Sequence, residues 1–169
     1  RIVSAAMWDL REAKGAAAAT PLLHFSRYHL PETFLDFYRD ILAEDDDNDD
    51  ISDGTPNMNA VAQAFGRHGI GGLQPGTFRV NVREDPNGNN KLDAGETGEL
   101  VTDFTSWFLA EGVSANLHSD SSYVFIEDAA TRLGSIGYQE STDNLHDPFT
   151  VHLSAATRNE AVLPFELTV

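Results

Sequence analysis

The stretch Asp85-Pro86-Asn87-Gly88-Asn89-Asn90-Lys91-Leu92-Asp93-Ala94-Gly95-Glu96 sets oxygen-bearing side chains at positions 1, 3, 5, 9 and 12 of a twelve-residue loop, with apolar Leu92 at position 8. A loop of this kind wraps Ca²⁺, which takes about six to eight oxygen ligands. The spacing assigns the side-chain oxygens of Asp85, Asn87 and Asn89 and the backbone carbonyl of Lys91. Asp93 would bind directly or through water, and Glu96 would close the shell with both oxygens. Position 6 is Asn90 rather than glycine. Asparagine enters the left-handed region more readily than other side chains, so the turn stays accessible at some cost. Calcium is the cofactor this pattern implies.

A second oxygen-rich segment runs from Glu44 to Asp53, with seven acids in ten residues. Such a run repels itself unless it is countercharged or solvated. Asp45, Asp47, Asp49 and Asp53 repeat the 1, 3, 5, 9 spacing, and a second calcium is expected there. Position 12 is Pro56, so the closing carboxylate is missing. The competing reading is a solvated acidic loop between two helices.

No other chemistry is encoded at recognisable spacing. The histidines are His24, His29, His68, His118, His146 and His152, and none lies in an H-E-x-x-H pair. No serine lies in a G-x-S-x-G elbow. Gly69-Ile70-Gly71-Gly72 lacks the lysine of a phosphate loop. Cysteine is absent, which excludes thiolate nucleophiles, disulfides and Cys-ligated zinc. No catalytic residue is therefore assigned. Trp8 and Trp107 read as core or edge aromatics, and His68 as a helix-terminal charge.

The elements that must hold these loops follow from periodicity. The 169 residues carry 27 acids against 11 bases, a net charge of −16. Phosphate backbones and anionic bilayers are poor partners for such a surface. No apolar run reaches the roughly 20 residues of a membrane span. Residues 1–72 read as four helices. Val3, Met7 and Leu10 mark the first, ending near Gly15. A short second helix is capped by Thr20-Pro21 and covers 22–28. Leu30-Pro31-Glu32 opens the third, and Thr55-Pro56 the fourth. The glycine-rich stretch 69–76 reads as a boundary. From Thr77 the apolar period changes from 3.6 to 2, beginning with Phe78, Val80 and Val82. Six further strands are expected over 99–108, 113–118, 123–127, 132–138, 149–153 and 161–169. The expected fold class is α+β in two parts: a small helical subdomain over 1–72 and an antiparallel, immunoglobulin-like β-sandwich over 77–169.

Three segments carry a resemblance. Arg1 to Arg11 (RIVSAAMWDLR) resembles the helix after the active-site region in secreted bacterial gluzincin metallopeptidases of the thermolysin and fungalysin type. Asp53-Gly54-Thr55-Pro56-Asn57 through Ala64-Phe65-Gly66-Arg67-His68-Gly69-Ile70 is similar to the last helix of such catalytic domains. Residues 77–169, with Gly95-Glu96-Thr97 closing an Asn/Asp/Gly loop, look like the sandwich modules appended to secreted proteases. Where such modules often carry an Asn-x-Gly turn, this chain has Ser106 to Gly112 (SWFLAEG).

The resemblance implies secretion or display on the cell surface. It also implies that the zinc-binding H-E-x-x-H, the third zinc ligand and the transition-state histidine lie upstream of Arg1. On this expectation the chain itself is no enzyme, and its parent is a zinc metallopeptidase or a catalytically dead relative of one. The absence of a capped lead-in to the first helix likewise suggests a fragment. Its principal partner would be the upstream part of its own polypeptide. The alternative is a calcium-binding extracellular structural or adhesion module of a surface or filament assembly, contacting other extracellular proteins.

Overall fold

The computed structural model describes residues 1–83 and 85–169. Among these residues the fold is α+β, with four α-helices and three antiparallel sheets. Helix α1 (Ile2–Lys14) places Ala6, Met7 and Leu10 on one buried face, with Arg11 and Lys14 in its last turn. These cations oppose the negative end of the helix dipole.

Helix α2 (Ala16–Ser26) begins at once after Gly15, not at Thr20. Four successive alanines have high helix propensity, and they carry the helix through Thr20 with Pro21 inside it. The missing proline N–H leaves the carbonyl one turn earlier without its usual donor. Helix α3 (Phe34–Asp45) is capped by Thr33, whose hydroxyl accepts from the Asp36 N–H while the Asp36 carboxylate accepts from the Thr33 N–H. Hydrogen bonds from Thr33 hold the Asp36 carboxyl below its ordinary range. Helix α4 (Met58–Gly66) buries Met58, Val61, Ala62, Ala64 and Phe65.

These helices enclose a core built around Leu10, Tyr38, Ile41, Leu42, Val61 and Phe65. The helical unit consists of Arg1–Gln74 together with two later segments, Thr105–Ala110 and Ile136–Ser141. The Tyr38 hydroxyl donates to the Trp107 carbonyl at 2.7 Å, and burial pushes its phenol pKa upward. Trp107 is partly buried against the core, with the Arg39 guanidinium 5.0 Å from its ring centre. Gly71 (φ 61) passes so close to Tyr38 that a Cβ there would meet the ring at 2.9 Å. Trp8 is 56% exposed and donates its indole N–H to Glu12.

The second unit comprises Pro75–Phe104, Glu111–Ser135 and Thr142–Val169. Its four-stranded sheet has the order β2 (Arg79–Val82), β3 (Thr97–Val101), β9 (Phe149–Leu153), β6 (Val124–Asp128). A three-stranded sheet has the order β10 (Glu166–Thr168), β5 (Ala110–His118), β7 (Ala130–Ile136). A third sheet is ordered β1 (Leu73–Pro75), β4 (Asp103–Ser106), β8 (Ser141–Asp143). Alternation is plain in β5, where Ala115 and Leu117 are buried between exposed neighbours. Strand β9 is buried at Phe149, Thr150, Val151 and Leu153. Its near-continuous burial, Thr150 included, fits its place between β3 and β6.

The single strand expected over 99–108 is two strands, β3 and β4, separated at Thr102. There the ladder is interrupted by a side chain. Asn144, 2% exposed, accepts the Thr102 N–H at 2.8 Å and donates to the Leu100 carbonyl at 3.2 Å. Asn144→Ala leaves a buried donor and acceptor unpaired. It is expected to cost about 2 kcal/mol, read by urea denaturation. A loss below about 0.5 kcal/mol would show that water or backbone replaces the amide.

Candidate metal centre

The loop between β2 and β3 is organised by its own side-chain oxygens. Asp85 accepts the Asn89 N–H at 3.1 Å on one oxygen and the Asn90 N–H at 2.7 Å on the other. Asn87 Oδ1 accepts the Asn89 N–H at 3.0 Å, and Asn89 Oδ1 accepts the Lys91 N–H at 2.7 Å. The oxygens at positions 1, 3 and 5 are thus all bonded to backbone N–H groups of the loop. Asn90 sits at φ 55, in the left-handed region its position requires. Leu92 anchors the far side: a Cβ on Gly98 of β3 would come within 3.0 Å of Leu92 Cδ1.

Asp93 faces the two asparagines, and its Oδ2 accepts amide N–H bonds from Asn87 and Asn89, both at 2.8 Å. These donors hold its carboxyl below the ordinary carboxylate range, Asn87 contributing most. Glu96 is 7% exposed and accepts the Asp93 N–H at 2.9 Å. Its backbone carbonyl accepts the Leu153 N–H at 2.9 Å, which fixes the loop's end to β9.

The donor set fits calcium in chemistry and in chain order. Each carbonyl oxygen of Asn87 and Asn89 has a second lone pair beyond the one its backbone bond uses. The residues that would hold the ion are Asp85, Asn87, Asn89, Lys91, Asp93 and Glu96. Ion binding would draw their oxygens around the centre and replace the amide contacts on Asp93. No group of three or more His, Cys, Asp or Glu among the described residues is placed to hold a metal ion. A cation here would therefore depend on the amides and the Lys91 carbonyl as much as on the carboxylates.

The acidic segment folds on a different set from the one its spacing suggests. Asp45, 8% exposed, accepts from the Thr55 hydroxyl at 2.6 Å, the Asn57 N–H at 2.5 Å and the Asn57 amide at 2.6 Å. Asp45 is thus a remote cap for the N-terminus of α4, where Asn57 supplies no side-chain cap of its own. The turns after Asp45 are made by Asp46, Asn48 and Asp50, whose oxygens accept the N–H groups of Asn48, Asp50 and Ser52. Asp49 is left-handed at φ 65, and Asp53 accepts from the Asn48 amide at 2.9 Å. Asp47 makes no side-chain hydrogen bond among the described residues. The hydroxyl and N–H of Ser52 hold the Asp50 carboxyl low.

Five of the six histidines, all but His146, pair individually among the described residues. His68 meets Asp9 at 3.0 Å, and His152 meets the Thr97 hydroxyl at 3.0 Å across β3 and β9. His29 meets Glu44 at 2.7 Å, and the bond raises its pKa above the ordinary 6.5. Asp40, also near His29, has its own carboxyl raised by burial. A raised histidine contributes stability that is full below the unfolded value of about 6.5 and is lost as pH rises through the folded value. His29→Gln is therefore expected to remove part of the wild type's extra thermal stability at pH 5.5 relative to pH 8.5. An unchanged pH difference between the two melting temperatures would show that the exposed pair contributes nothing.

Sequence reasoning missed the capping role of Asp45 and the strand-break role of Asn144. Neither had a local signal, because the partners lie ten or more residues away. The chain matches no family model, no curated protein and no solved structure.

Proposed function

We propose that the chain is the non-catalytic C-terminal part of a secreted, calcium-stabilised protein of the zinc-metallopeptidase type. The helical unit completes a catalytic domain whose zinc chemistry is carried by other residues of the polypeptide. The β-rich unit, read as an immunoglobulin-like sandwich, serves stabilisation or attachment. The observation that supports the calcium part is that Asp85, Asn87, Asn89, Asp93 and Glu96 all bond within one loop, with Asp93 facing the amides of Asn87 and Asn89. The metallopeptidase part is supported by the resemblance of 1–11 and 53–70, which fall on α1 and on the run into and out of α4.

The coding sequence upstream of Arg1 tests this reading. An H-E-x-x-H within the preceding few hundred codons is expected. Its absence would favour the structural or adhesion module instead. The chain alone is expected to hydrolyse no casein with or without added zinc, and turnover by the pure chain would overturn the assignment.

A further inference from the structure

A cleft of about 380 Å³ opens in the β-rich unit between the Asn89–Ala94 side of the loop and the segment after β9. This lies at the small end of ligand-site volumes, about 300–1,000 Å³. Leu92, Leu153 and Leu163 give it apolar lining, and Lys91 and Arg158 give it two cations. The distribution of charge in this unit makes those cations informative. Its Lys and Arg residues are Arg79, Arg83, Lys91, Arg132 and Arg158. Arg79 is paired with Asp103 and Asp143, and Arg83 with Glu99. Lys91, Arg132 and Arg158 have no ion pair among the described residues, and Lys91 and Arg158 line the same cleft.

Two acids also line it, Asp93 and Glu160. Asp93 is already engaged by two amide donors. The two cations and two acids of the lining balance in formal charge, in a unit that is otherwise acidic. Backbone geometry marks the same place. The two non-glycine residues of this unit with positive φ among the described residues are Asn90 (φ 55) and Glu160 (φ 58). Asn90 lies in the loop segment, and Glu160 in the later segment, whose residues line the cleft.

We propose that this cleft binds a small carboxylate with an apolar body, such as the free C-terminal leucine of a short peptide. The carboxylate pairs with Lys91 and Arg158, and the apolar group packs on Leu153 and Leu163. The proposal is independent of calcium and is tested in its absence. The full chain, labelled with ¹⁵N and held in EGTA, is titrated with N-acetyl-L-leucine and, separately, with N-acetyl-L-leucinamide. Saturable amide shifts at Lys91, Arg158 and Leu163 are expected, with a Kd of about 1 mM for a ligand this small. The neutral amide should bind at least about tenfold more weakly, as should the acid to Arg158→Glu. Absence of saturable shifts to about 20 mM overturns the site. Equal binding of acid and amide, or undiminished binding by Arg158→Glu, overturns the anion assignment.

Discussion

Asp45→Ala is expected to lower the stability of the helical unit by about 3 kcal/mol. The carboxylate ends α3, where the helix dipole alone disfavours a negative charge. It is kept there by three short bonds from Thr55 and Asn57 at the start of α4. Alanine removes both acceptor oxygens and all three bonds, and leaves the Asn57 N–H and the Thr55 hydroxyl without partners in a part-buried place. Each hydrogen bond to a charged group contributes about 1.5–3 kcal/mol, and the three do not add. Asp45→Asn keeps one carbonyl acceptor and should cost about half as much. Guanidinium denaturation followed by far-UV dichroism measures both. The experiment also separates capping from metal binding. As a cap, Asp45 matters equally in EGTA and in calcium. A loss of stability confined to calcium-containing buffer would instead make it a ligand.

Calcium is expected to stabilise the β-rich unit by about 2.7 kcal/mol at a hundred times its dissociation constant. For a chain of this size that raises the melting temperature of the transition by about 5–10 °C. The physical origin is linkage: the folded loop gathers Asp85, Asn87, Asn89, Asp93 and Glu96, and the unfolded chain does not. Asp85→Ala with Glu96→Ala should abolish the shift, because it removes the first and last ligands together. The two acidic positions act differently without calcium. Glu96 is buried and holds the Asp93 N–H, so its loss also weakens the ion-free fold. Asp85→Ala also releases the Asn89 and Asn90 N–H groups, but these are exposed to water, so its ion-free cost should be smaller than that of Glu96→Ala. The pH dependence follows from Asp93. Its carboxyl is held low by Asn87 and Asn89, so its contribution is present above the ordinary carboxylate range and is lost as pH falls through the lowered value. Calorimetric scans with and without EGTA test the linkage. Coincident transitions in the two buffers would remove calcium from the proposal.

Much of the local structure was legible because its causes are local. The apolar faces of α1 and α4, the change of period near Thr77 and the oxygen spacing of 85–96 each arise within a dozen residues. The helix boundary at Thr20 misled because a cap-plus-proline signal competes with four preceding alanines, and propensity prevailed. In the acidic segment, spacing alone does not say which alternate residues make the turns. Asp49 adopts the left-handed conformation, and Asp46, Asn48 and Asp50 make the turns.

By itself, the amino-acid sequence determined which residue types could bind an oxygen-loving cation, that no thiol chemistry is available, and where helical period yields to strand period. Only the tertiary structure decided that Asp45 caps a helix begun twelve residues later, that Asn144 breaks a strand, and that Thr105–Ala110 and Ile136–Ser141 join the helical unit. The reason is one of range. Backbone conformation and periodicity respond to near neighbours, whereas a buried polar group must be paired wherever the fold places a partner.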